Sequence, residues 1–173
     1  MASSITVLNA DRLKQKLSAL AMLKVEQAVN KATLLVEGQA KDLCPVDTGA
    51  LRESIHPKIE KSEHEVKGIV STQCEYAAFV EFGTGTKGQG TYPYTINGLQ
   101  LQYRQDGWAF VDPKTGETIW THGQKAQPFM YPALDRNRSK VESIISESVK
   151  DLIKEAIRWQ IQCIHQKSIC KTN

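Results

Sequence analysis

The chain has 173 residues, 40% of them hydrophobic and 24% charged, which is the balance of an ordinary globular protein and excludes a disordered one. Lysine and arginine outnumber aspartate and glutamate by 22 to 19, and a net charge of +3 is too small to point to nucleic acid on its own. No run of about 18 apolar residues occurs, so no membrane-spanning helix and no membrane partner are expected.

This length suits one domain over residues 1–173, with residues 1–8 and 168–173 expected to fray. Met1 to Asn9 lacks the basic start and apolar stretch of a secretory signal, so a cytosolic origin is expected. From Asp11 to Leu43, apolar residues recur at steps of three and four, from Leu13, Leu17 and Leu20 through Ala28, Ala32 and Val36 to Leu43. That spacing predicts one long amphipathic helix of roughly 50 Å, with Asn9 as its N-cap and Pro45 as its stop. A break near Met22 to Lys24 is the alternative.

Between Ile55 and Thr121 the pattern turns to β. Ile55 to Lys61 and Glu65 to Thr72 read as two strands around a polar turn at Ser62 to His64. Tyr76 to Phe82 suits either one helical turn or a strand. The 83–98 segment, rich in glycine, reads as a mobile loop. Leu99, Leu101 and Tyr103 alternate with Gln100, Gln102 and Arg104, the signature of a half-buried strand. Asp106-Gly107 then turns the chain into Trp108 to Val111, and Asp112 to Gly116 turns it into Glu117 to Thr121, closing a three-stranded meander. A second long helix follows from Pro132, placed at its first position, to about Gln166. The fold class is therefore α+β: an antiparallel sheet with a β-meander, flanked by a long N-terminal and a long C-terminal helix.

Few residues suggest chemistry. Cys44, Cys74, Cys163 and Cys170 form no Cys-x-x-Cys pair and read as free thiols of a reducing compartment. His56, His64, His122 and His165 have no zinc-site spacing, and neither metal nor cofactor is expected. Asp47-Thr48-Gly49 matches the triplet of aspartic proteases, and a dimer could bring two copies of Asp47 together. That triplet belongs after an apolar strand, however, and here a helix and Pro45 precede it. The other reading is that Asp47 or Thr48 caps a short segment from Gly49 to Ile55. Gly83-Thr84-Gly85-Thr86-Lys87-Gly88 fits G-x-G-x-x-G, but Gly90-Thr91-Tyr92-Pro93 cannot start the helix that would hold a pyrophosphate. The aromatics Tyr92, Tyr94, Tyr103, Trp108, Phe110 and Trp120 concentrate in the middle third. They fill the meander's core or anchor a partner, and Lys87, Tyr92, Tyr94, Trp108 and Trp120 are the candidate assembly interface.

Four islands, taken as a set, resemble one family. They are Cys44 to Ile55 (CPVDTGALRESI), Tyr76 to Gly85 (YAAFVEFGTG), Trp120 to Gln124 (WTHGQ) and Ala126 to Leu134 (AQPFMYPAL). Their order resembles the neck or tail-completion proteins of long-tailed bacteriophages and prophages, the gene-product-ten-like family of lambdoid siphophages. The resemblance spans about residues 25 to 140; His122 stands where a basic residue is expected. It implies a structural virion protein without enzyme activity, at the head–tail junction or upper tail and assembled in the host cytoplasm. Its implied partners are further copies of itself in a ring, neighbouring neck, connector or tail proteins, and packaged DNA met without regard to sequence. A tail terminator of the same assembly is the sister reading, and a dimeric protease using Asp47 the reading from another class.

Within the resemblance, Asp47, Thr48, Gly49, Leu51, Tyr76, Phe79, Glu81, Phe82, Gly83, Pro128, Phe129 and Pro132 are structural positions. Gly49 and Gly83 would permit backbone geometry that a Cβ obstructs, and Phe79, Phe82 and Phe129 would pin short elements to the sheet. The long helices carry more apolar face than a small sheet can cover, which is the physical ground for a ring. Six copies, taken as a working count, would gather a charge of roughly +18 around a DNA channel.

Overall fold

The computed structural model describes residues 10–62, 65–112 and 114–169, with side chains described between 21 and 158. The expected Asn9 cap and frayed 1–8 end lie outside those residues, as do Cys170 and most of the tail from 168. The described chain runs α1 (Ala10–Leu43), α2 (Ala50–Glu53), β1 (Ile55–Lys61), β2 (Val66–Thr72), α3 (Ala77–Phe82), α4 (Gly85–Gly88), β3 (Trp108–Val111), β4 (Thr118–Thr121) and α5 (Met130–Ile169). The α+β class and both long helices follow the reading of the sequence. Helix α1 passes through Met22 to Lys24 without a break, and Tyr76 to Phe82 resolves as helix rather than strand.

The packing groups these residues into two compact units, each assembled from separate stretches of chain. The first takes α1 up to Thr33, Ile59–Ile69 of the β1–β2 pair, and α5 from Ser139 onward. Among the described residues its buried side chains are small: Ala28, Ala32 and Thr33. Small side chains let backbones approach, and the approach is tight where β2 meets α1. A Cβ placed on Gly68 would lie 1.9 Å from Thr33 Oγ1, which donates to the Val29 carbonyl at 2.7 Å. Lys24 pairs with Glu155 and Lys61 with Glu26 (2.6 Å) on the wet side of this unit.

The second unit comprises Leu34–Lys58 and Val70–Arg138. Its core gathers Ala40, Leu51, Ile55, Phe129 and Ala133, four of them with no exposed surface. Strands β1 and β2 form one two-stranded sheet, with Ser62 N donating to Glu65 O at 2.8 Å across the turn. So short a link allows only antiparallel pairing. Strands β3 and β4 form another, antiparallel, with Trp108 opposite Thr121 and Val111 opposite Thr118.

The expectation of one sheet with a three-stranded meander is corrected here. Among the described residues Leu99 to Arg104 makes no ladder, although Leu101 and Tyr103 are half-buried and their neighbours exposed, as the alternation demands. Alternation sets which way side chains point, not whether a neighbouring strand is there to take the backbone. The segment is held instead by a side chain: Tyr103 Oη donates to the Phe82 carbonyl at 3.0 Å.

Candidate functional site

The two islands that carry most of the motif are joined by one buried carboxylate. Glu81, near the end of α3, is 5% exposed. Its Oε2 accepts from Phe129 N at 2.7 Å and Met130 N at 2.9 Å, and its Oε1 accepts from Tyr131 N at 3.1 Å. The first amides of any helix lack partners within the helix, and the N-terminus attracts negative charge. A residue 49 positions upstream of Met130 thus caps α5. This also explains why α5 begins at Met130 and not at Pro132. The carboxylate secures the preceding amides, and Pro132 sits in the first turn, where its missing N–H leaves no bond unmade. The Tyr92 hydroxyl donates to Glu81 Oε1 at 3.5 Å, and burial followed by that carboxylate's charge pushes the Tyr92 phenol well above its usual range.

The glycine-rich island is a close-packing device. A Cβ on Gly83 would lie 2.7 Å from Ala126 N, and one on Gly88 would lie 2.8 Å from Gln124 O. Gly83 also has φ +78°, in the left-handed region that side chains disfavour. Thr84 bridges to Gln124 by backbone hydrogen bonds of 2.9 and 3.1 Å, Gln127 N donates to Val80 O, and Ala126 N donates to Thr91 Oγ1. The glycines therefore bring 122–127 against α3 and α4, and that backbone fills the space a phosphate would need. Within the 83–98 segment, residues 83–91 hold these bonds, while Gly90 and Gly98 face open space.

Asp47 does not cap α2. Its carboxylate accepts from Lys114 Nζ at 2.6 Å on the surface, and it is this bond that raises the Lys114 ammonium above its ordinary value. Thr48 Oγ1 accepts from Ala50 N at 3.4 Å, and Gly49 takes the N-cap position with φ +90° and no side-chain bond. An exposed carboxylate paired with a lysine is unlike the close-set carboxylates of an aspartic protease, which share a proton. Cys44 and Cys74 are free thiols; Cys44 is buried, and loss of water around it pushes its thiol up. No group of His, Cys, Asp and Glu able to hold a metal occurs among the described residues, and no described helix is long and apolar enough to cross a membrane.

The five candidate interface residues separate. Tyr92 and Tyr94 belong to an aromatic chain that runs from Phe82 through both to Tyr131, with ring centroids 4.7 to 5.6 Å apart. Trp108 is half-buried, with the Arg104 guanidinium 5.5 Å from its ring centroid. Lys87 is exposed, and its backbone N–H donates to His122 O. Trp120 stands 66% exposed on the hairpin. Phe79 is not a pin: it is 57% exposed and, with Tyr76, Tyr103, Arg104 and Trp108, lines an open groove of about 710 Å³ in this unit. Val46 and Val111 are also largely exposed.

Residues 10–83 match the model of one protein family. It is the HK97-gp10-like family, described as "Bacteriophage HK97-gp10, putative tail-component". The match agrees with the resemblance carried by the islands, and it takes in the first island and most of the second. The third and fourth lie beyond Gly83, but Gln124 Nε2 donates to the Phe79 carbonyl and the Glu81 carboxylate holds Phe129 N, so both are fastened to the matched stretch. No curated protein and no solved structure matches the chain. Over residues 10–83, then, the chain is similar to a family of bacteriophage tail components.

Proposed function

We propose that the chain is a structural virion protein that completes the neck or upper tail at the head–tail junction as a homo-oligomeric ring around the DNA channel. The match of residues 10–83 to a tail-component family carries the reading. Support comes from the large apolar side chains that each unit leaves exposed, Trp120 and Val111 in one and Val149 and Ile153 in the other. Its partners in that position are further copies of the chain, with six as a working count, and neighbouring neck, connector and tail proteins. Contact with DNA in the channel would be through phosphates alone.

Light scattering after size exclusion, with negative-stain images of any large species, tests the reading. Closed rings formed by the chain alone, or on addition of portal-side and tail proteins, are the expected result. Absence of rings under both conditions would overturn it. Within the 83–98 segment, the part beyond the bonded residues 83–91, around exposed Gly98, is expected to be cut by protease in the free chain and protected in the ring.

A further inference from the structure

A ring of identical subunits needs two different surfaces on every copy, because a head-to-tail contact sets one patch against another. Among the described residues, each unit offers such an apolar surface. On α5, Val149, Ile153 and Ile157 recur every four residues along one face and are 39%, 55% and 51% exposed. On the β3–β4 hairpin, Trp120 lies opposite Ala109, and Val111 opposite Thr118, so all four share a face. Trp120 and Val111 on that face are 66% and 62% exposed. The other hairpin face is partly engaged, since Trp108 packs against Gly85.

We propose that the Trp120–Val111 face of one copy docks on the Val149–Ile153–Ile157 stripe of the next copy. The inference rests on the ring reading above and names the two halves of its interface. Charge selects this pairing. Lys150, Lys154 and Arg158 each follow a stripe residue by one position, about 100° round the helix, and form a basic edge along it. The hairpin's turn carries Asp112 and Glu117, and its lysine, Lys114, is already held by Asp47, so docking sets a net acidic turn against the basic edge. Pairing α5 with α5 would close at two copies and bring the lysines of both edges together near the middle of the stripe, which is unfavourable.

The test uses the full-length chain with a photo-crosslinking benzophenone residue in place of Thr118, which is exposed on the docking face. Cross-links from the oligomer fraction should fall within residues 146–158 of a neighbouring copy and be missing from the monomer fraction. Trp120→Ala should lower the association constant at least about tenfold, as a central aromatic anchor does. Val111→Glu serves as a second variant, because the Trp120 indole lies over Gly107 and its loss could disturb the hairpin. Glu117→Lys should weaken association, and Lys154→Glu added to it should restore most of the loss. Rings whose cross-links fall elsewhere would overturn this inference and leave the ring reading standing. A chain that stays monomeric at every concentration would also overturn it, and the ring reading would then stand or fall on the added-partner experiment.

Discussion

A carboxylate that gives up water on folding must recover its hydrogen bonds from the protein, and Glu81 does so with three backbone N–H groups and a phenol. Glu81→Gln keeps the shape but turns an NH₂ group toward donors that need an acceptor. The expected loss is about 2–4 kcal/mol, since bonds to a charged acceptor are strong and a buried amide left unpaired is costly. Thermal unfolding should show it as a fall in Tm of roughly 5–15 °C for a chain of this length; a fall under about 2 °C would show the charge to be dispensable. Asp47→Asn is the contrast: an exposed pair contributes little, and Tm should stay within about 2 °C. Tyr92 adds a dependence on pH. Its phenol is raised by burial first and by Glu81 next, so the unfolded chain, with an ordinary value of 10.0, loses that proton before the folded chain does. The contribution is whole below that value and declines as the pH rises past it. Urea midpoints at about pH 8 and about pH 11 should therefore fall further for the wild type than for Tyr92→Phe. An equal fall would remove Tyr92 from the account.

At the scale of elements, what was legible in the sequence was whatever repeats locally. The three-and-four spacing from Leu13 to Leu43 gave α1, and Asp112 and Gly116 gave the hairpin turn, where Gly116 N donates to Asp112 O at 2.7 Å. Pairing at a distance was not legible. Leu99 to Arg104 has the alternation of a strand and no strand partner among the described residues, and nothing near Glu81 in sequence announces that its ligands lie 48 to 50 residues on. By sequence, Glu81 is only a motif position. Its neighbours Phe79 and Phe82 look more like core than it does, yet Phe79 is the one left in water. The glycines were misleading in the same way: G-x-G-x-x-G fits a phosphate loop by spacing, and only the backbone of 122–126 shows what the missing side chains admit. Two substitutions of the same kind should thus have opposite signs. Gly88→Ala drives a Cβ against Gln124 O and the Gly83 backbone and should cost about 1–3 kcal/mol. Gly38→Ala, within α1 with nothing inside 4 Å, should add about 0.5–1 kcal/mol. Denaturant midpoints of the two variants decide it, and a stable Gly88→Ala would mean that the 122–126 strap is free to move away.

For the whole molecule the question is where the apolar surface of α5 goes. In a free chain, Ile153 at 55% exposure contributes little to folding, so a charge in its place removes almost nothing that the fold uses. Glutamate is also a good helix former, which keeps the backbone term small. Ile153→Glu should therefore leave the far-ultraviolet circular dichroism unchanged and Tm within about 2 °C. In an assembly the same substitution places a carboxylate in a dry contact, with the full cost of its lost hydration. The oligomer should then dissociate at concentrations where the wild type holds together, with at least a tenfold rise in the dissociation constant, about 1.4 kcal/mol. The two readouts separate the places the stripe can be used. A Tm lower by more than about 5 °C would mean that Ile153 packs within its own chain. An unchanged Tm together with an unchanged oligomer would mean that the stripe meets solvent in both states, and the surface that closes the ring would have to be sought at the groove beside Phe79 and Tyr103.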